Sequence, residues 1–332
     1  MSWLANVVAI IRQSFFLPKP PLTEQNLPDQ TGKVHIVTGG YSGCGRELTR
    51  ILYGKNATVY VAGRSHDKAA KAIESIKRDV GKSKGRLEFL KLDLADQNTI
   101  KASTEEFLSK EQRLDVLTNN AGIMLTKEGS KDVQDHEIHL GTNCLGPFLF
   151  STLLLPILCK TALSSPPGSV RVTWASSLAA VFLTPTHGME FETDGSPRVS
   201  KAHTNYGVSK AGNWFLAAEF ARRYGKEGVL SVAWNPGNLR TELQRDIGAF
   251  RRRIVELLLF PAVYGAYTEI YAGWSTDLAL ESNGAYVYPW GRNGTSTLRA
   301  DLLAAAKPRS EGGTGEAKDF WAWCDKETAQ FR

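Results

Sequence analysis

The sequence predicts an α/β fold, a doubly wound Rossmann-type parallel sheet carried by one domain with extensions at both ends. Two observations lead there. From residue 34 onward, apolar runs of strand length alternate with longer amphipathic stretches, the pattern of a mostly parallel sheet covered by helices. The first of those runs is followed at once by a glycine cluster, Thr38-Gly39-Gly40-Tyr41-Ser42-Gly43-Cys44-Gly45, and a helical pattern opens behind it.

Strands are expected over residues 34–38, 58–62, 87–92, 114–118, 170–175 and 229–234, with a shorter one at 285–288. Helices are expected over 46–53, 68–80, 98–108, 136–159 and 207–224, with Pro156 interrupting the fourth near its end. No internal repeat or second compositional regime divides the chain. The catalytic domain is therefore placed at 33–300. An N-terminal amphipathic segment and Pro-rich linker (1–32) precede it, and a C-terminal extension (301–332) with a final helix carrying Phe320, Trp321 and Trp323 follows. Because the sheet begins only after Gly32, a chain starting near Leu27 is expected to stay folded and active.

Composition narrows the function. A 42% hydrophobic share suits a full-sized core, and 40 basic residues nearly balance 34 acidic ones. The excess of +6 is spread along the chain, and the Arg251 to Arg253 run suits a solvated helix face, so nucleic acid is not expected as a partner. Four cysteines, Cys44, Cys144, Cys159 and Cys324, stand far apart with no C-x-x-C pair. Neither a disulfide framework nor a zinc site is suggested; no metal is expected, and the reducing cytoplasm is the expected compartment. The sequons at Asn56 and Asn293 are then incidental. Residues 3–17 are mostly apolar but broken by Arg12, Gln13 and Ser14. As a helix they would span only about 22 Å, short of the roughly 30 Å hydrocarbon layer. Two readings stay open: a helix lying on the cytosolic face of a membrane, or one docked on the protein itself.

The glycine cluster has the context a phosphate-binding turn needs, strand before and helix behind. Glycines let backbone N–H groups approach a pyrophosphate, and the helix N-terminus adds partial positive charge. Tyr206 and Lys210, four residues apart at the start of a predicted helix, project from one helix face. Reduction of a ketone builds negative charge on oxygen that must be protonated. A tyrosine can supply that proton if its pKa, near 10, is brought to about 7, which requires roughly 4 kcal/mol of preference for the phenolate. A nearby ammonium and the oxidised cofactor's positive nicotinamide are suited to supply it.

With its T-G-x-x-x-G-x-G spacing, the chain resembles the short-chain dehydrogenase/reductase family, and the matches run in family order from residue 33 to about 241. The resemblance implies cofactor contacts at Thr38, Gly39, Ser42, Gly43, Cys44 and Gly45 of the turn and at Asp93 beside the adenine. It further implies contacts at Asn120, Ala121 and Gly122 of an N-N-A-G segment that begins at Asn119. Pro236, Gly237, Leu239 and Thr241 match the stretch against the nicotinamide. It implies Tyr206 as proton donor, Lys210 also holding the ribose, Ser177 binding the substrate oxygen and Asn143 holding a relay water. Ser177 is preferred because the family serine is the second of its pair, with Ser176 as rival.

The second strand ends Val61-Ala62-Gly63-Arg64-Ser65. Gly63 stands where NAD enzymes of this kind place an acid, and Arg64 follows with a fork suited to a 2′-phosphate, so NADP(H) is the expected cofactor. The long stretch between Ser177 and Tyr206, in which His187 and His203 read as loop residues, is expected as a loop at the site's rim. It is similar to the retinol-dehydrogenase-like branch, and the two chain ends look most like its fungal secondary-metabolism members. The expected activity is carbonyl–alcohol interconversion on a bulky lipophilic substrate. The alternatives are a retinol or lipid dehydrogenase, a silent nucleotide-binding regulator, or an epimerase or dehydratase on the same scaffold. The apolar stretch after Gly237, from Leu239 through Leu243, Ile247, Phe250 and Leu257 to Phe260, is expected to cover that substrate; Val263, Tyr264 and Tyr267 continue its apolar character, and some of these residues are expected to face the core. Arg240 and Arg245 are expected to face solvent. Family members often pair through the helices carrying Asn143 and Tyr206, which implies a homodimer that the N-terminal extension could block.

Overall fold

The computed structural model describes residues 13–14, 17–124, 126–240 and 259–332. Eight strands form one sheet: β1 (Val34–Thr38), β2 (Thr58–Gly63), β3 (Arg86–Lys91), β4 (Val116–Asn119), β5 (Val170–Ala175), β6 (Val229–Trp234), β7 (Tyr286–Tyr288) and β8 (Arg292–Asn293). Their order is β3-β2-β1-β4-β5-β6-β7-β8, parallel throughout except for the β7–β8 pair. β1, β5 and β6 are buried along their whole length, as strands covered on both faces must be. The order reverses between β1 and β4, and it is outside the strand ends at such a reversal that open α/β sheets bind ligands.

Helices α1 (Gly43–Gly54), α2 (His66–Val80) and α3 (Gln97–Lys110) connect the first four strands. Ser65 and Asp96 cap α2 and α3 by accepting the N–H of Lys68 and Asn98. α4 (Ile138–Leu163) is continuous through Pro156 and includes a π turn over Gly141–Leu145. It is long and apolar enough to cross a membrane, yet most of it is buried, as in a core helix. A short α5 (Ala179–Phe182) precedes α6 (Ala202–Tyr224), whose first turn holds His203.

Three regions bear on the sequence expectations. α7 (Ala262–Trp274) continues the apolar stretch, part of which was expected to face the core, and it packs on α1. Ala266 and Ile270 join Leu48, Ile51 and Leu52 in one core cluster, with Val263 and Tyr267 against it, so those apolar residues serve the protein's own core. Arg171 of β5 donates to the carbonyls of Gly168, Ala272, Ser275 and Leu278, placing a buried cation at the C-terminal end of α7.

The C-terminal extension, α8 (Ala300–Ala305) and α9 (Glu316–Thr328), is part of the body. Phe320, Trp321, Trp323 and Cys324 are buried in the main core. Trp321 meets Phe148 of α4 edge-on at 4.8 Å, and Arg223 of α6 lies 4.6 Å from the Trp321 ring. The helices expected to pair two subunits, α4 and α6, thus also pack against a helix of the same chain.

At the other end, Leu27 is buried, and Gln30 bonds to His35 and Trp274. Gln13 and Ser14 are buried as well, and the Gln13 Oε1 accepts from Asn235 Nδ2 at 2.9 Å. This end of the 3–17 segment is docked on the protein; most of the segment lies outside the described residues.

Candidate active site

The site is assembled at the C-terminal ends of the strands. After β1, Gly39 turns with φ +67, and α1 starts at Gly43, three residues earlier than periodicity suggested, so the last glycines of the cluster form its first turn. Ser42, the N-cap, makes no side-chain cap bond. The N-terminal N–H groups of α1 are thus left to an external acceptor, the arrangement an anion uses. Asn120 wedges between turn and helix, donating to the Thr38 carbonyl at 2.8 Å, while the Thr38 hydroxyl accepts from Ala121 N at 2.9 Å. A Cβ at Gly45 would come within 2.5 Å of Asn120 Nδ2, so this packing requires glycine.

At the end of β2, a Cβ at Gly63 would run into the Tyr41 ring, with the hydroxyl at 2.9 Å. A side chain there would have to displace the Tyr41 ring, a constraint invisible in sequence. Arg64 is exposed and makes no ion pair among the described residues. Asp93 follows β3 half-buried, its Oδ1 accepting from Ala95 N.

The chemical groups meet around the first turn of α6. Lys210 is buried, and its Nζ donates to the Ala175 carbonyl at 2.9 Å, its one hydrogen bond among the described residues. It lies 5.7 Å from the centre of the Tyr206 ring and would be 3.2 Å from a Cβ at Gly122. Burial lowers its pKa to about 8. Tyr206 keeps part of its surface open. Enclosure of the phenol raises its pKa above the ordinary value, with the Ser177 hydroxyl working the other way. The protein's side chains therefore do not by themselves bring Tyr206 toward 7.

The two serines separate clearly. Ser176 is buried and donates to the Lys210 carbonyl at 2.7 Å. Ser177 is half-buried beside Tyr206, its Oγ accepting from Ala179 N at 3.2 Å. Asn143 sits on the π turn of α4, a deformation that often marks functional sites. Its amide is engaged with the main chain of Ile123 in both directions, at 2.8 and 3.1 Å, and with Ser209 Oγ at 3.0 Å. Both Nδ2 hydrogens are thus in use, and a water would be left the second lone pair of Oδ1 or a main-chain group.

After β6, Asn235 Oδ1 accepts from Gly237 N at 3.0 Å, shaping the Pro236-Gly237 turn. Leu239 packs with Cys44 and Trp290, and Arg240 is exposed. Thr241, Leu243, Arg245, Ile247, Phe250, Leu257 and Arg251 to Arg253 lie outside the described residues. The rim loop after α5 is ordered by Arg299, which donates to the carbonyls of Val181 and Pro185, and by Asp301, which accepts from His187 N.

Sequence reasoning missed several members. Tyr286 Oη donates to the Ser177 carbonyl at 2.9 Å, from a strand read only as short and apolar. Asn213 donates to the same Ala175 carbonyl as Lys210. Only the helical spacing of Tyr206, Lys210 and Asn213 could have flagged the latter. Cys44, Cys144 and Cys324 are buried thiols whose pKa burial pushes up, which suits inert packing groups.

The short chain dehydrogenase family model matches residues 33–180. A short-chain dehydrogenase/reductase of Phomopsis amygdali is 48% identical over 321 residues, 95% of each chain. Among solved structures, an uncharacterized protein from Mycobacterium Paratuberculosis is 26% identical with a TM-score of 0.64, covering 93% of this chain and 97% of that one. An NADPH-bound carbonyl reductase from chicken fatty liver shares the fold at 19% identity and TM-score 0.59, covering 80% and 98%. Through a 48% identical relative aligned along nearly its whole length, the chain belongs to the short-chain dehydrogenase/reductase family.

Proposed function

We propose that this chain is an NADP(H)-dependent oxidoreductase that interconverts a carbonyl and an alcohol on a bulky, lipophilic substrate. The observation that carries the reading is the convergence of Ser177, Tyr206 and Lys210 beside the glycine turn. The residues present fit the cofactor. The α1 N-terminus lacks a side-chain cap, as a pyrophosphate site needs, and two of the three Lys210 ammonium donors are left for ribose hydroxyls. Exposed Arg64, beside a Gly63 that carries no acid, favours the 2′-phosphate.

NADPH, when bound, supplies the hydride that reaches the carbonyl carbon. The Tyr206 hydroxyl donates the proton to the carbonyl oxygen while the Ser177 hydroxyl holds that oxygen. Lys210 would favour the phenolate left behind. Ser176 and Tyr286 fix the main chain around Lys210 and Ser177. Asn143 holds the segment at Ile123 and offers its remaining acceptor capacity to a relay water. Phe182, 47% exposed on α5, adds apolar surface just beyond Ser177, in keeping with a lipophilic substrate. Apolar ligand surface buried there would contribute roughly 25 cal/mol per Å².

The four free thiols suit the cytoplasm, and residues 3–12 remain candidates for membrane-surface contact. Homodimerisation through α4 and α6 would have to accommodate α9. The test is NADPH consumption with lipophilic ketones, aldehydes and retinoids against sugars and keto acids. The lipophilic set is expected to give the higher kcat/KM, and preference for the polar set refutes the substrate class. Tyr206→Phe is expected to keep NADPH binding and lose about a hundredfold or more in kcat. Turnover within tenfold of the parent removes Tyr206 from the mechanism.

A further inference from the structure

We propose that His139, held by Glu137, is a positioning residue that aligns Tyr206 with the segment facing it. His139 is fully buried at the start of α4, one helical turn before Asn143. Its Nδ1 lies 2.7 Å from Glu137 Oε1. The other oxygen of that carboxylate accepts the N–H groups of His139 and Leu140, at 2.9 and 3.0 Å. One carboxylate thus caps the helix and orients the imidazole, placing a proton on Nδ1. Nε2 then faces Thr126 Oγ1 at 3.2 Å. The ring stands edge-on to Tyr206, with centroids 5.9 Å apart and planes at 66°.

A single imidazole therefore touches two walls of the site. On one side is the phenol. On the other is Thr126, at the far end of a segment whose near end Asn143 clamps at Ile123. The two clamps sit four residues apart on α4, so one helix face holds both Ile123 and Thr126. An apolar residue would fill the same volume at this buried position, but it would release Thr126. The carboxylate–imidazole pair is a costly way merely to fill a core, because both groups leave water.

The inference rests on the reading of Tyr206 as proton donor, and the variants separate the two. His139→Phe fills the volume without polar atoms, and His139→Gln keeps a polar group directed at Thr126. With a lipophilic ketone that the parent reduces, His139→Phe is expected to lower kcat ten- to a hundredfold, leave NADPH affinity within threefold, and displace the pH profile of kcat. His139→Gln is expected to recover most of the lost kcat. Parent-like kcat in His139→Phe, or equal impairment in both variants, overturns the inference. If His139→Phe does not fold, Thr126→Val decides, since it removes one hydroxyl from a half-buried loop residue. A rise of threefold or more in the ketone KM is expected, and parent-like kinetics overturn the proposal. An inactive Tyr206→Phe beside parent-like His139 and Thr126 variants refutes this inference alone, whereas an active Tyr206→Phe refutes the underlying mechanism.

Discussion

Replacing Arg64 with alanine is expected to weaken NADPH binding by about tenfold or more while leaving NADH binding nearly unchanged. A hydrogen bond to a charged group is worth roughly 1.5–3 kcal/mol, and about 1.4 kcal/mol is tenfold in affinity. One such bond from Arg64 to the 2′-phosphate therefore corresponds to about 10- to 150-fold. Arg64 is exposed, so solvent screening pulls the value toward the lower end. The neighbouring glycine provides a second arm. Gly63→Asp alone would drive a side chain into the Tyr41 ring, an overpacking that costs about 1–3 kcal/mol, so it is expected to weaken both cofactors. Combined with Tyr41→Ser and Arg64→Ala, the aspartate has room to meet the ribose hydroxyls, and NADH should become the better ligand. Titration calorimetry with each dinucleotide measures all of this. Equal losses for NADPH and NADH in Arg64→Ala would show that Arg64 does not hold the phosphate, and a parent that prefers NADH refutes the cofactor assignment. Tight NADH binding by Gly63→Asp alone refutes the steric argument.

Two further outcomes follow from the geometry. Because burial sets the Lys210 pKa at about 8, its cation is present below that pH and lost above it. The kcat/KM for NADPH, which reports the free enzyme, should therefore fall as pH rises through about 8, and a flat profile from pH 7 to beyond 9 contradicts it. Removing the residues before Leu27 takes away the Gln13 contact to Asn235, which in turn shapes the turn at Gly237. The shortened chain is expected to bind NADPH severalfold more weakly, contrary to what the sequence suggests, and unchanged affinity would show the contact to be inconsequential.

The parallel sheet was legible in the chain because period-2 and period-3.6 patterns are local properties of short segments. β1, β5 and β6 fall on the expected residues. The glycine turn and the Tyr206–Lys210 pair were legible for the same reason, since their chemistry depends on neighbours within one turn. Even Arg64 could be singled out, because the residue types allowed at the end of β2 are few.

Tertiary structure alone decided the rest. Apolar periodicity says that α7 and α9 bury a face, but not against what. Only the packing shows that Ala266 meets α1 and Trp321 meets α4. Ser176 is tied to a carbonyl 34 residues away, whereas Ser177 stays half-buried beside Tyr206. Gly63 acquired its meaning from Tyr41, and Asn235 from Gln13, 222 residues distant in sequence. Such contacts join segments whose own preferences are already met locally, so no composition or spacing within either segment encodes the partner. The path of the chain between them does.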